Sequence, residues 1–148
     1  MRGLALALAL CCAFAAQAVG TDEEDDKLDP DYASGKRAVE SKDWPAAIKF
    51  FNSVALRDTR NADIQNFLGY AYRNSGDLSL AYRHYHRALQ LNPRHRGAHE
   101  YLGEAYLMSG NLAKAEEHLK LLEGICLIPC AEHGILREKI AEFRAKQR

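Results

Sequence analysis

The chain has no excess of charge of either sign: 20 Lys and Arg residues stand against 20 Asp and Glu. Such a balance argues against the broad basic surface that nucleic acid binding needs. No apolar run is long enough to span a bilayer comfortably. There is no phosphate-binding loop, no nucleophile placed beside a base and no convergent carboxylate pair, so the reading is of a protein that is not an enzyme and needs no cofactor. Cysteine is sparse, at four residues. None of the spacings matches the Cys-x-x-Cys of oxidoreductases or the Cys-x-x-Cys-His of haem attachment. What is present suits one packed domain, since 47% of the 148 residues are hydrophobic and 27% are charged.

The N-terminus has the composition of an export signal. Arg2 supplies the positive start, Leu4 to Ala16 form a short apolar run, and Ala16-Gln17-Ala18 offers the small-x-small pattern for cleavage. Residues 1–18 are therefore expected to be a signal peptide, with a mature start at Val19 and a periplasmic or secreted location. No stable membrane insertion is expected after cleavage, and retention of the segment as an anchor is the other reading. Lipid attachment is disfavoured because Cys11 follows Leu10, not a small residue. Cleavage removes Cys11 and Cys12 and leaves Cys126 and Cys130 in an oxidising compartment. Residues 19–27 carry Asp22, Glu23, Glu24, Asp25 and Asp26 and read as an acidic, solvated, disordered leader.

Self-comparison at a fixed offset decides the fold. Gly35, Gly69 and Gly103 lie 34 apart, as do Ala47, Ala81 and Ala115, and Ser41, Ser75 and Ser109. Phe51, Tyr85 and Leu119 keep the step, as do Val54, Ala88 and Leu122, and Asp43, Asp77 and Asn111. The repeats run 28–61, 62–95 and 96–129 without insertion. In the second, Ile64, Phe67, Leu68, Ala71 and Tyr72 fall at helical spacing, and Gly76-Asp77 can end that helix and cap the next. Leu78, Ala81, Tyr82, Tyr85, Ala88 and Leu89 mark a second amphipathic helix, which Asn92-Pro93 stops. The third repeat copies the turn as Gly110-Asn111, whereas the first has Lys42-Asp43. Glycine and alanine at the packing positions let paired helices approach closely. After Pro129, Ile135, Leu136, Ile140 and Phe143 give residues 130–148 the pattern of a helix that covers the last repeat.

At these residues the chain resembles the tetratricopeptide repeat (TPR) family. The second repeat carries Leu68-Gly69, Tyr72, Ala81, Tyr85, Ala88 and Pro93; the third keeps Leu102-Gly103, Tyr106 and Ala115. The first is weakest, with Gly35, Ala38, Ala47, Phe51 and Val54 but no large residue before its glycine and no closing proline. The resemblance covers about residues 28 to 129. It implies an all-α solenoid of three helix pairs plus a C-terminal capping helix, and a non-catalytic adaptor or scaffold that binds a segment of another protein. In this family the first helix of each pair lines a concave groove. Carried over, that face holds Tyr32, Lys36, Val39, Asn66, Tyr70, Arg73, Asn74, Glu100, Glu104, Leu107 and Met108. Asn66 and Asn74 can bond a peptide backbone, Tyr70 can pack a side chain and Arg73 can meet a carboxylate. Phe67 and Tyr101 stand where chaperone-binding members place polar clamp residues, and Glu100 and Glu104 add repelling charge, so binding of a chaperone C-terminus is not expected.

Cys126-Leu127-Ile128-Pro129-Cys130, followed by His133, is the one motif with possible chemistry. A disulfide between Cys126 and Cys130 would pin the last repeat to the final helix. A thiol-redox pair or a soft-metal site such as Cu(I), with His133 as third ligand, is the alternative function. His84, His86, His95 and His99 lie near Arg83, Arg87, Arg94 and Arg96. This group reads as a basic patch for an acidic partner or for the chain's own acidic leader, with no metal expected there.

Overall fold

The computed structural model describes residues 29–148. The signal segment, the acidic leader, Cys11 and Cys12 lie outside the described residues. Seven helices follow in order: α1 Pro30–Glu40, α2 Trp44–Arg57, α3 Ala62–Asn74, α4 Leu78–Leu91, α5 Arg96–Met108, α6 Leu112–Ile125 and α7 Ala131–Lys146. Among the described residues there is no strand, and no helix is long and apolar enough to cross a membrane. The helix bounds themselves repeat: Trp44, Leu78 and Leu112 open the second helix of each pair, and Arg57, Leu91 and Ile125 close it.

The turn within each pair is built the same way three times. The amide of Asp43 donates to the carbonyl of Ala38 at 2.8 Å, that of Asp77 to Tyr72 at 2.9 Å and that of Asn111 to Tyr106 at 2.8 Å. The same residues then cap the next helix, their side-chain oxygens accepting from the amides of Ala46, Leu80 and Lys114. Reversing the chain this tightly needs a left-handed residue just before the cap. Gly76 and Gly110 supply it at φ 92° and 78°, and in the first repeat Lys42 is forced into the same region at φ 58°. Pro45 sits in the first turn of α2, where no N–H is needed.

Each pair packs face to face and then leans on the next. Phe51 and Tyr85, both fully buried, lie against the backbones of Gly35 and Gly69; a β-carbon added there would come within 2.6 Å of the ring in each case. The third repeat departs from this rule. Its equivalent residue, Leu119, is only half-buried, and the atoms against Gly103 belong to Leu136 of α7. The close approach expected between the paired helices of repeat 3 is made instead by the final helix. Leu136 and Ile140 are buried in that helix and Phe143 packs beside them, whereas Ile135, expected on the same face, is 40% exposed.

The core is three adjoining clusters, not one. Tyr72 packs on both the first and the second, and Tyr106 on both the second and the third, so these two side chains join the stack. First helices also pack on one another, α3 on α5 and α5 on α7, while second helices do not meet to a comparable extent. From α3 onward the first helices therefore converge and the second ones splay, which turns the face of α3 and α5, continued by α1, inward.

Candidate functional site: the face of α1, α3 and α5

Positions 34 apart fall into rows across this face, and the rows differ in chemistry. Tyr32, Asn66 and Glu100 form one row, Lys36, Tyr70 and Glu104 the next, and Val39, Arg73 and Leu107 a third. At the N-terminal end Tyr32 packs edge-on against Phe51 and Phe67, and the Lys36 ammonium lies 5.7 Å from the Tyr32 ring centre. Val39 is drawn into the first core cluster.

The centre is an aromatic and ionic lattice. Trp44 meets Tyr70 edge-on at 5.9 Å, and Tyr70 meets Tyr101 at 4.9 Å. The Arg73 guanidinium lies 5.3 Å from the Tyr70 ring centre and 5.2 Å from that of Tyr101. Its Nη1 donates to Glu104 Oε2 at 2.6 Å and to the Tyr101 carbonyl at 3.5 Å. Arg73, read as able to meet a carboxylate, is 7% exposed and meets one from the next repeat of its own chain. Glu104, expected to repel, is the group that satisfies it. Both corrections have one cause: rows of adjacent repeats lie close enough for opposite charges at neighbouring positions to pair.

Glu100 has no such cation to itself. It is buried, with Glu104 and Glu132 nearby. Burial first, and those two carboxylates next, raise its pKa to about 7 against a weaker pull from Arg73. Burial likewise holds the Tyr101 phenol up at about 12. Asn66 is also buried and its Oδ1 has no hydrogen-bond partner, so it is not the free surface amide its position suggested. Asn74 is exposed, but its Nδ2 donates to the Tyr70 carbonyl of its own helix at 2.8 Å.

At the C-terminal end the face opens. Met108 is 59% exposed, and with Leu107, Glu104 and Phe143 of α7 it lines a cavity of about 220 Å³, ringed by Lys139, Glu142 and Lys146. Leu107 and Met108 fall on this face by register, but their partners on α7 do not follow from the three repeats alone. The missed signal is that α7 continues the 34-residue step, Leu136 following Leu102 and Ile140 following Tyr106.

The expected basic patch falls into two groups: Arg83, His84, His86 and Arg87 line one surface cavity, and Arg94, His95 and Arg96 line another. His84 stacks on Tyr72 with Nδ1 2.9 Å from Gln65 Oε1. His95 is the N-cap of α5, its Nδ1 accepting from the Ala98 amide and its Nε2 facing Asp63 Oδ1 at 2.9 Å. His99 is buried and pairs through Nδ1 with His118 Nδ1 at 2.9 Å, a residue outside the expected patch. Among the described residues no three His, Cys, Asp or Glu side chains are grouped to hold a metal ion. Cys126 and Cys130 are joined in a disulfide with α-carbons 5.8 Å apart.

With this geometry in view, comparison with known proteins gives the class. The tetratricopeptide repeat family model matches residues 68–126. No curated protein matches the chain in sequence. Among solved structures, the Yersinia enterocolitica type III secretion chaperone SycD, in complex with a peptide of the translocator YopD, aligns with a TM-score of 0.71 at 18% identity, over 86% of this chain and 100% of that one. The TPR2B domain of yeast Sti1, in its pHsp70 complex, gives 0.68 at 19% identity, over 80% and 96%. The first TPR domain of human RPAP3 gives 0.69 at 17% identity, over 79% and 91%. Residues 68–126 match the tetratricopeptide repeat model, and the chain folds as an all-α solenoid.

Proposed function

We propose that this protein is a non-catalytic interaction module that holds a segment of another protein along the face of α1, α3 and α5. The observation that carries the reading is the cavity between α5 and α7. It has the size of one large apolar side chain, and its walls Leu107, Met108 and Phe143 stand at the end of the aromatic lattice. Similar structures include a SycD complex with a YopD peptide and a Sti1 domain complex with pHsp70. The likeness in fold gives precedent for segment binding but not for the partner.

The buried Arg73–Glu104 pair acts as the floor of the site, and the contacting groups are Tyr70, Lys36, Met108 and the cavity rim. Anchors of this kind dominate interface energies. We place the protein outside the cytoplasm, on the strength of the Arg2 to Ala18 segment and of a disulfide, which persists where the surroundings oxidise. A mature N-terminus at Val19 is the expected outcome of mass analysis, and an intact Met1 would overturn that placement.

The binding reading is tested by affinity purification from the native host, comparing the unaltered chain with groove and control variants. Met108→Glu, in the cavity wall, and Tyr70→Ala should each weaken capture of the same partner by about 1–3 kcal/mol. Leu56→Glu, on the second helix of repeat 1 and 83% exposed, should not. A partner retained equally by all three variants would sink the groove assignment.

A further inference from the structure

The Cys126–Cys130 disulfide contributes little that the fold lacks without it. It closes a loop across a separation of only four residues, so it removes little entropy from the unfolded chain. The helix it tethers is already anchored by Leu136 and Ile140, which are 0% and 2% exposed. Three features stand around it.

The first is the cap of α7. The six preceding helices each have a side-chain acceptor at the N-cap, from Asp29, Asp43, Asn61, Asp77, His95 and Asn111. The N-cap of α7 is Cys130, which makes no such bond while its sulfur is tied to Cys126. The second is the cavity of about 260 Å³ that both cysteines line, together with Glu123, His133 and Arg137. His133 Nε2 is buried there without a hydrogen-bond partner, 3.5 Å from Glu123 Oε1. The third is the loop itself: Leu127 is 94% exposed and Ile128 79%, two apolar side chains held out to solvent between the two sulfurs.

We propose that Cys126–Cys130 is an exchangeable disulfide that oxidises a dithiol of a partner protein displayed beside apolar residues. A partner thiolate attacks Cys126 Sγ, forming a mixed disulfide as the Cys126–Cys130 bond breaks. The electron pair leaves on Cys130 Sγ. That sulfur is the better leaving group because the free first-turn amides of α7, with His133 and Arg137 nearby, stabilise a thiolate there. The partner's second thiolate then attacks the partner sulfur of the mixed disulfide and releases Cys126 as a thiolate, which takes a proton from solvent. The partner loses two electrons and gains a disulfide; Cys126 and Cys130 gain the two electrons. A small-molecule disulfide, such as oxidised glutathione, restores the pair by the same steps in reverse. Leu127 and Ile128 provide the apolar docking surface, which is why the partner's dithiol is expected among apolar residues.

The test uses the mature chain. In the reduced protein, thiolate absorption near 240 nm should show one cysteine titrating about one unit or more below the ordinary 8.5. It should be the one left in Cys126→Ser and not the one left in Cys130→Ser, and His133→Gln should move it back upward. The oxidised protein should convert a reduced dithiol peptide with flanking leucines to its disulfide, one peptide per protein. Leu127→Ser with Ile128→Ser should slow that reaction at least about fivefold while leaving reduction by dithiothreitol unchanged. Two cysteines that both titrate near 8.5, or reduction that melts α7 in circular dichroism, would overturn the proposal and make the bond a structural clip.

Discussion

His99 and His118 pair across the two helices of repeat 3, and the network fixes which nitrogens carry protons. His99 Nε2 lies 3.0 Å from the Pro93 carbonyl, an acceptor only, so Nε2 carries the hydrogen and Nδ1 is left to accept from His118 Nδ1–H. Two neutral rings satisfy this arrangement and two charged rings cannot. Burial is the first cause of the lowered pKa of both; His95 also depresses His99, and His99 helps hold His118 at about 4. Unfolded histidines take up a proton near 6.5, so the unfolded state binds more protons as the pH falls and stability is lost between about 6.5 and 4. Glu100 acts with the opposite sign: folded it keeps its proton up to about 7, unfolded only to about 4.5, so rising pH costs stability over that window. In melting curves from pH 4 to 8, Glu100→Gln should raise stability at pH 8 and make the acid-side loss steeper. Replacing His99 and His118 by Gln and Phe, the residues at their registers in repeats 2 and 1, should flatten the acid side. A Glu100→Gln variant whose stability tracks the unaltered protein at every pH would refute the assignment of a buried, protonated carboxyl.

At the scale of helices and pairs, most of the architecture was legible because period, turn and cap all state the same thing. Asp77 and Asn111 were expected to cap and do; Gly76 and Gly110 were expected to turn left-handed and do. What was not legible depended on side-chain size across repeats. Leu119 follows Phe51 and Tyr85 in register, yet it is too short to cover Gly103, and α7 moves in to do so. The concave face was read as a list of residues open to a partner, but pairing between repeats, as in Arg73 with Glu104, depends on interhelical distance, which a periodic pattern does not encode. The register itself has a sharp test at Gly69, where a β-carbon would stand 2.6 Å from two ring carbons of Tyr85. That ring is fully buried and has nowhere to retreat. Gly69→Leu should therefore lower stability by about 1–3 kcal/mol or more in denaturant titration. An unchanged midpoint would place the helix contact elsewhere.

Across the whole molecule, each cluster touches only its neighbours, so stability is a sum of local and nearest-neighbour terms and a defect at one end need not reach the other. Leu136 gives a way to see this. It is fully buried, it covers Gly103 and it belongs to the third cluster with Leu107, Ala115, Leu122 and Ile140. Leu136→Ala removes atoms from a packed site and should cost about 2–5 kcal/mol. In a single cooperative core that loss would lower amide protection everywhere by the same amount. Here the loss should be graded: hydrogen exchange should speed most in α5, α6 and α7, less in α4, whose Ala81 and Tyr85 share a cluster with Tyr106 of α5, and least in α1 and α2. The same gradient bears on binding, because the cavity of Leu107, Met108 and Phe143 lies in the part that would loosen. Uniform acceleration along the chain would show that Tyr72 and Tyr106 couple the three clusters into one unit, and that the stack unfolds as a whole.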